Sequence, residues 1–382
     1  MFAYYIALVL SIVLSILLSK RTTLSIDDIE GRLHHVTYYR FRSFVRVILA
    51  MSPLLFVLCF RWNVGVDSAY GGSYSVLYQY AAQGMNPGKL EIGYYILSKL
   101  FAANRVPWFW FLFTLGLLSI LGFAYGLFKS EVNPVLFILT FFFLNAFFDC
   151  FSSLRQSLAE GICVANLGWW ISRKESDDKK EELKAELVYL LVFCLASLFH
   201  RIALIFVLFH IVSRKKFSTK NCVIACISGL LLSPVVRIVS SFMIKIFTGG
   251  KYERNASGFG SSYVIIALVV FCFALYQGTA MQEISHKAYY LTNYAMYTFI
   301  LMVNSEALVL PFRFFDMLKI SFLFTIPIVV KSGKTQLRRI AYFCIFAVVI
   351  GLWFWNSIYN NNSVFRQYQT AFYNWDYIIK LP

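Results

Sequence analysis

Charge is scarce in this chain. Asp, Glu, Lys and Arg together make up 14% of its 382 residues, while 59% are hydrophobic and 19% aromatic. A soluble domain cannot bury that much apolar surface, and the mean hydropathy of +0.66 points the same way. Strand-like alternation is missing too. Runs such as Phe2–Leu18 and Val135–Phe148 are almost continuously apolar, which excludes a closed barrel. The eight cysteines form no C-x-x-C pair and no Cys/His cluster, so they read as small apolar packing residues. There is no Walker A loop, no H-E-x-x-H, no G-x-S-x-G and no D-x-D-type metal site on the outer face. ATP hydrolysis, zinc proteolysis and the serine-hydrolase elbow therefore lack support, and no cofactor or metal is expected. The first apolar segment has no basic n-region and no A-x-A-type cleavage site, so it is expected to be a retained helix.

What is present is the pattern of an all-α polytopic integral membrane protein. Apolar runs predict about twelve transmembrane helices, at 2–19, 44–60, 107–128, 134–150, 155–172, 186–199, 201–213, 221–246, 261–277, 289–311, 314–330 and 340–357. Residues 1–382 then form a single transmembrane domain. It carries a long external loop at 61–106, a charged cytoplasmic loop at 172–186 and an external C-terminal tail at 358–382. Within the external loop, Gly88–Arg105 has the mixed polarity of an interfacial helix or a re-entrant piece. A net charge of +16 would suggest nucleic acid in a soluble protein. Here most Lys and Arg residues cluster in short loops, the positive-inside pattern, and nucleic acid is not expected as a partner. The stretch from Glu186 to Ser213 is too long for one crossing, and His200–Arg201 interrupts its middle. Two short helices meeting there keep the later basic clusters on the cytoplasmic side.

Threaded this way, the chain gathers Asp67, Glu91, Arg155, Gln156, Glu160, His200, Arg201, Arg254, Glu306 and Arg313 on its outer side. Fixed charge at membrane depth costs roughly 2.5–3.5 kcal/mol per Arg on insertion scales, so such residues mark function. An arginine fork can hold phosphate oxygens bidentately and stays charged at any ordinary pH. Two or three of Arg155, Arg201 and Arg313 around one cavity would cradle a pyrophosphate. His200 suits the abstraction of a proton from a sugar hydroxyl. Asp67 and Glu91 suit the same role, or hydrogen bonds to sugar hydroxyls.

Several short motifs then resemble one family. Gly65-Val66-Asp67 followed by Tyr70, Tyr74 and Tyr78 resembles the first external loop of the EpsG family, which belongs to the Wzy-type polysaccharide polymerases. Glu91-Ile92-Gly93-Tyr94 resembles its Glu-Pro-Gly-Tyr element, with Ile in place of Pro. Arg155-Gln156-Ser157-Leu158-Ala159 is similar to its Arg-Gln-x-(Leu/Ile)-Ala helix start. Ser197-Leu198-Phe199-His200 is similar to its Phe-His element, although Arg201 stands where a small or polar residue is expected. Arg313-Phe314 is similar to its late arginine.

The resemblance implies a GT-C-like fold and a glycosyltransferase of the bacterial cytoplasmic (inner) membrane, with its site facing the periplasm or exterior. It would join oligosaccharide repeat units carried on undecaprenyl diphosphate, for capsule, O-antigen (lipopolysaccharide) or exopolysaccharide. Catalysis would fall to His200, Asp67 or Glu91, and pyrophosphate binding to Arg155, Arg201 and Arg313. Gln156, Tyr70, Tyr74, Tyr94, Arg254 and Glu306 would bind substrate, the aromatic rings stacking on sugar faces. A chain-length regulator and a flippase of the same pathway would be partners, besides membrane lipids. A polytopic O-acyltransferase and a flippase for lipid-linked oligosaccharide remain as alternatives, and a ligase is chemically close.

Overall fold

The first helix, α1 (Phe2–Leu18), shows the logic of the packing. Tyr4, Ala7, Leu8, Ser11 and Ser15 fall at helical spacing and are buried, while Val9, Leu10, Val13 and Ile16 on the opposite face are exposed. A helix with small and polar residues inside and aliphatic residues outside is inverted relative to a water-soluble one. Its outer face suits lipid. The helix at Gln336–Phe354 shares the apolar outer face, with Leu337, Ile340, Val348 and Leu352 exposed, although its buried face is formed by Tyr342, Phe346, Ile350 and Trp353.

The computed structural model describes residues 1–27, 33–62, 64–65, 73–86, 90–174, 176–214, 218–235, 238, 260–285, 287–304, 311–356 and 369–370. Their regular secondary structure is helical apart from two short antiparallel ribbons. One pairs β1 (Lys20–Asp27) with β2 (Leu33–Arg40), and the other pairs β3 (Arg61–Trp62) with β4 (Gln369–Thr370). The first ribbon occupies what reads in sequence as a basic connector after the first span.

Helices stand at the places where apolar runs predict spans, and they are compatible with a membrane protein. Among the described residues, Trp108–Ser130 and Gln336–Phe354 are each long and apolar enough to cross a membrane, and up to four such elements result if two bent pairs count as single spans. Part of the difference from about twelve apolar runs has a local cause, and runs such as 221–246 and 289–311 extend beyond the described residues. The run at 134–150, for example, is cut by Asn145 in the left-handed conformation (φ 62°), and the two pieces meet at a 49° bend.

Packing divides the chain into two compact units. The first comprises Met1–Trp170, Ser176–Leu204 and Gly351–Pro382, and the second Ile171–Glu175 and Ile205–Ile350. In the first unit α1 packs on α2 (Phe44–Cys59), and α2 packs on α5 (Trp108–Ser130). Pro53 lies inside α2 and cannot donate to the Leu49 carbonyl. The Ser52 hydroxyl takes that place, donating to Leu49 O at 2.8 Å. Between α2 and α5 lie α3 (Ser73–Ala82) and α4 (Ile92–Ala103), packed on each other. Next come α6 (Pro134–Phe143), α7 (Ala146–Ser152), α8 (Leu154–Ser172) and α9 (Lys179–Ser197). Asn133 caps α6, its side chain accepting from the amides of Val135 and Leu136, with Pro134 at the first helical position.

α5 and α8 meet backbone to backbone. A Cβ at Gly126 would lie 2.6 Å from the Val164 carbonyl oxygen, and one at Gly161 would lie 2.7 Å from that of Ser119. Gly122 faces Gly161 more closely still. Only residues without a side chain fit such a seam, as in small-xxx-small helix pairs of membranes.

The second unit centres on the helix Ala288–Val303, which packs on Gly260–Tyr276, Thr219–Leu231, Ile205–Ser213 and Phe322–Lys331. Two of its interior polar groups are held by side-chain bonds: Lys319 Nζ donates to Asp316 Oδ1 at 2.8 Å, and Asn293 Nδ2 donates to the Ser213 carbonyl at 3.2 Å.

Candidate active site

Three elements of the first unit bring charge together. Arg155 and Gln156 fall in the first turn of α8, where free amides and the helix dipole already carry positive potential. Glu91 is the N-cap of α4. His200 ends the turn that follows α9. The turn is closed by the His200 and Phe199 amides, which both donate to Ala196 O, and the 3-10 turn Arg201–Leu204 follows. The helix expected to break at His200–Arg201 does break there.

Arg155 Nη1 donates to Glu91 Oε2 in an ion pair, and Arg155 Nε donates to Tyr74 Oη at 3.2 Å. The guanidinium also lies over the Tyr74 ring, 5.4 Å from its centroid. Nη2 makes no hydrogen bond among the described residues. The other Glu91 oxygen, Oε1, lies 3.6 Å from His200 Nδ1. Burial alone would raise the Glu91 carboxyl. The His200 imidazole and the Arg155 guanidinium outweigh burial and hold it at about 2. The Glu91 and His200 side chains are 11% and 10% exposed, and Arg155 is 26% exposed. Both ring nitrogens of His200 are shielded, and neither has a hydrogen-bond partner among the described residues.

An aromatic wall backs this triad. The Tyr74 and Tyr94 rings are 5.7 Å apart, and Tyr94 meets Phe111 edge-on at 5.8 Å. Tyr78 stacks on Phe111 at 4.8 Å and donates its hydroxyl to the Val106 carbonyl at 2.7 Å. This fixes α3 and α4 against the start of α5.

The remaining sequence candidates are distributed as follows. Gln156 is buried and donates to Glu160 Oε1 at 2.8 Å, so its side-chain amide is committed to the wholly buried Glu160. Arg201 is exposed and makes no ion pair among the described residues. Arg313 lies in the helix Pro311–Leu318 of the second unit. Asp67, Tyr70, Arg254 and Glu306 lie outside the described residues.

Sequence reasoning passed over Arg61. It is 2% exposed, donates from Nη1 to Leu58 O at 2.7 Å and lies over the Phe151 ring at 5.3 Å. With Asp149 and Glu160 it is an electrostatic neighbour of Cys150, so a second charged cluster lies buried in the same unit. Its signal in the sequence is slight: it is the first charge after the run 44–60.

The family model described as EpsG family matches residues 44–375. The chain belongs to the EpsG family. The resemblance drawn from its motifs is thereby borne out, and membership in this polysaccharide polymerase-type family gives the chain a polysaccharide-polymerase-like role. No curated protein and no solved structure matches it. In EpsG-family terms, the matched region contains Glu91, Arg155 and His200 and leaves α1 and the first ribbon outside.

Proposed function

We propose that this EpsG-family chain polymerises oligosaccharide repeat units linked to undecaprenyl diphosphate on the outer face of the cytoplasmic membrane. In this reading the chain crosses the membrane about twelve times, with the Glu91–Arg155–His200 cluster facing outward. The observation that carries the reading is Arg155. It is a half-buried guanidinium in the first turn of a helix, fixed by Glu91 and Tyr74, with its Nη2 donors uncommitted. Such a group is prepared for an anion with several oxygens.

The non-reducing-end hydroxyl of one unit attacks the anomeric carbon of the growing chain. The new C–O bond forms as the bond from that carbon to the diphosphate oxygen breaks, and undecaprenyl diphosphate leaves with the electron pair. Arg155, joined by the exposed Arg201, neutralises the charge that grows on the departing diphosphate, so guanidinium groups do the work that a metal ion does elsewhere. His200 receives the hydroxyl proton, while Tyr74, Tyr78 and Tyr94, buried in the aromatic wall, back the site rather than offering faces to sugar rings. A chain-length regulator and a flippase of the same pathway are the partners this role requires.

The test is chain length. The gene is deleted and restored as wild type or as Arg155→Ala, and the extracted surface polysaccharide is run on a gel. A wild-type ladder that collapses to single repeat units in the variant, at normal protein level, is expected. An unchanged ladder that has lost only acetyl groups overturns the reading in favour of an acyltransferase. Loss of even the single-unit product points to a flippase or ligase instead.

A further inference from the structure

We infer that Glu91 is the positioning residue of this site rather than its base: one carboxylate spans Arg155 and His200, fixing both and leaving His200 Nε2 as the proton acceptor. The inference rests on the polymerase reading given above.

Both oxygens of Glu91 face a partner. Oε2 accepts from Arg155 Nη1, and Oε1 faces His200 Nδ1 at 3.6 Å. A hydroxyl donating to Oε2 would compete with the guanidinium, and one donating to Oε1 would have to approach beside the imidazole. The carboxyl is also held at about 2, which makes its anion a weak base near neutrality. His200 differs. Its Nδ1 lies 3.6 Å from the carboxylate, beyond a hydrogen bond but near enough for the anion to favour the tautomer with the proton on Nδ1, and Nε2, which like Nδ1 has no hydrogen-bond partner among the described residues, then carries the lone pair. The backbone holds this register, because the Gly93 amide donates to Leu198 O at 2.9 Å, two residues from each member of the pair. During the displacement the sugar hydroxyl proton passes to Nε2, and Glu91 stays ionised beside the imidazolium. The proton then leaves to water as the product departs. The ionisable group that faces the imidazole is Glu91, at 3.6 Å, and Glu91 in turn pairs with Arg155, which also donates to Tyr74 Oη.

The experiment uses membranes holding the full chain and lipid-diphosphate-linked repeat units extracted from the host. Initial elongation rates are recorded across pH for wild type, Glu91→Gln, Glu91→Asp and His200→Gln. Glu91→Gln is expected to lower kcat about 10²-fold with little change in KM. It is also expected to move the acid limb of the profile, because the Arg155 guanidinium then loses the carboxylate that it shares with the imidazole. His200→Gln should remove that limb, and Glu91→Asp should keep the limb at reduced rate. An acid limb that survives in His200→Gln and vanishes in Glu91→Gln makes Glu91 the base and overturns the inference. So does a Glu91→Gln profile that matches wild type. Should Glu91→Gln fail to accumulate, a displaced limb in Glu91→Asp overturns it equally. Wild-type membranes that do not elongate the substrate would instead overturn the polymerase reading itself.

Discussion

The Gly93 amide donates to the Leu198 carbonyl at 2.9 Å, and a Cβ at position 93 would lie 2.9 Å from that oxygen and 3.0 Å from Leu198 Cβ. Two backbones touch here because one residue has no side chain. Glu91 stands two residues before the contact and His200 two residues after it, so the 3.6 Å approach of carboxylate to imidazole follows from this one meeting of chains.

Gly93→Ala is therefore expected to damage the site rather than merely the helix. The added methyl meets backbone atoms that cannot rotate away, so α4 must back off, at a cost of about 1–3 kcal/mol. Chain elongation should fall at least tenfold while the protein still accumulates. Gly351→Ala is the control, since nothing lies within 4 Å of its would-be Cβ, and it should leave the ladder unchanged. Equal ladders from the two variants would show that the clamp has no bearing on activity.

Arg155→Lys is expected to fail nearly as completely as Arg155→Ala. An ammonium keeps the charge, but its three donors sit on one atom, so serving Tyr74 Oη and Glu91 Oε2 leaves at most one for an anion and no planar fork. Less than about a tenth of wild-type elongation should remain, within the range for a lost transition-state donor. Tyr74→Phe removes one acceptor and keeps the ring under the guanidinium, so about a five- to tenfold loss is expected. Rates of elongation in membranes decide both.

Much of this site can be read along the chain because each of its members interrupts an apolar background. Arg155 opens a helix, His200 splits a run too long for one crossing, and Glu91 precedes Gly93 and Tyr94. What the sequence does not carry is pairing. Nothing in the spacing of residues 91, 155 and 200 says that one carboxylate serves both of the others, because their meeting depends on a backbone contact between Gly93 and Leu198. Gln156 illustrates the opposite case. As the neighbour of Arg155 it reads as a substrate ligand, yet the helical repeat turns its amide inward to Glu160, four residues on. Arg61 escapes notice because burial, not motif, makes it unusual. The ribbon β1–β2 is hidden because its two strands lie in what reads as a charged connector.

The seam between α5 and α8 is expected to be the most sensitive packing surface that carries no chemistry. Gly161→Leu forces a branched side chain into the Ser119 backbone, and Gly126→Leu does the same against Val164. The helices then separate, and the first turn of α8, which holds Arg155, goes with them. Both variants should lose most of the folded, monodisperse protein in detergent, whereas leucine at Gly351 should not. Normal yields from both seam variants would mean that the close approach is dispensable.

Glu91 also ties stability to pH, with a definite sign. Its carboxyl titrates at about 2 in the folded chain against an ordinary value of 4.5. The unfolded chain therefore takes up this proton first as pH falls. The ionised group contributes its full stabilisation above about pH 4.5 and loses it as pH drops towards 2. Linkage sets the contribution on the order of 3 kcal/mol. Thermal unfolding in an acid-tolerant detergent should show wild type above Glu91→Gln by a constant margin from pH 7 to pH 5. That margin should close between about pH 4.5 and pH 2, over the interval bounded by the two titration points. Arg155 stays charged throughout, so it cannot produce such closure. A margin that closes near pH 6 instead would assign the linkage to an imidazole, and a margin absent at pH 7 would mean that Glu91 neutralises Arg155 without stabilising the fold.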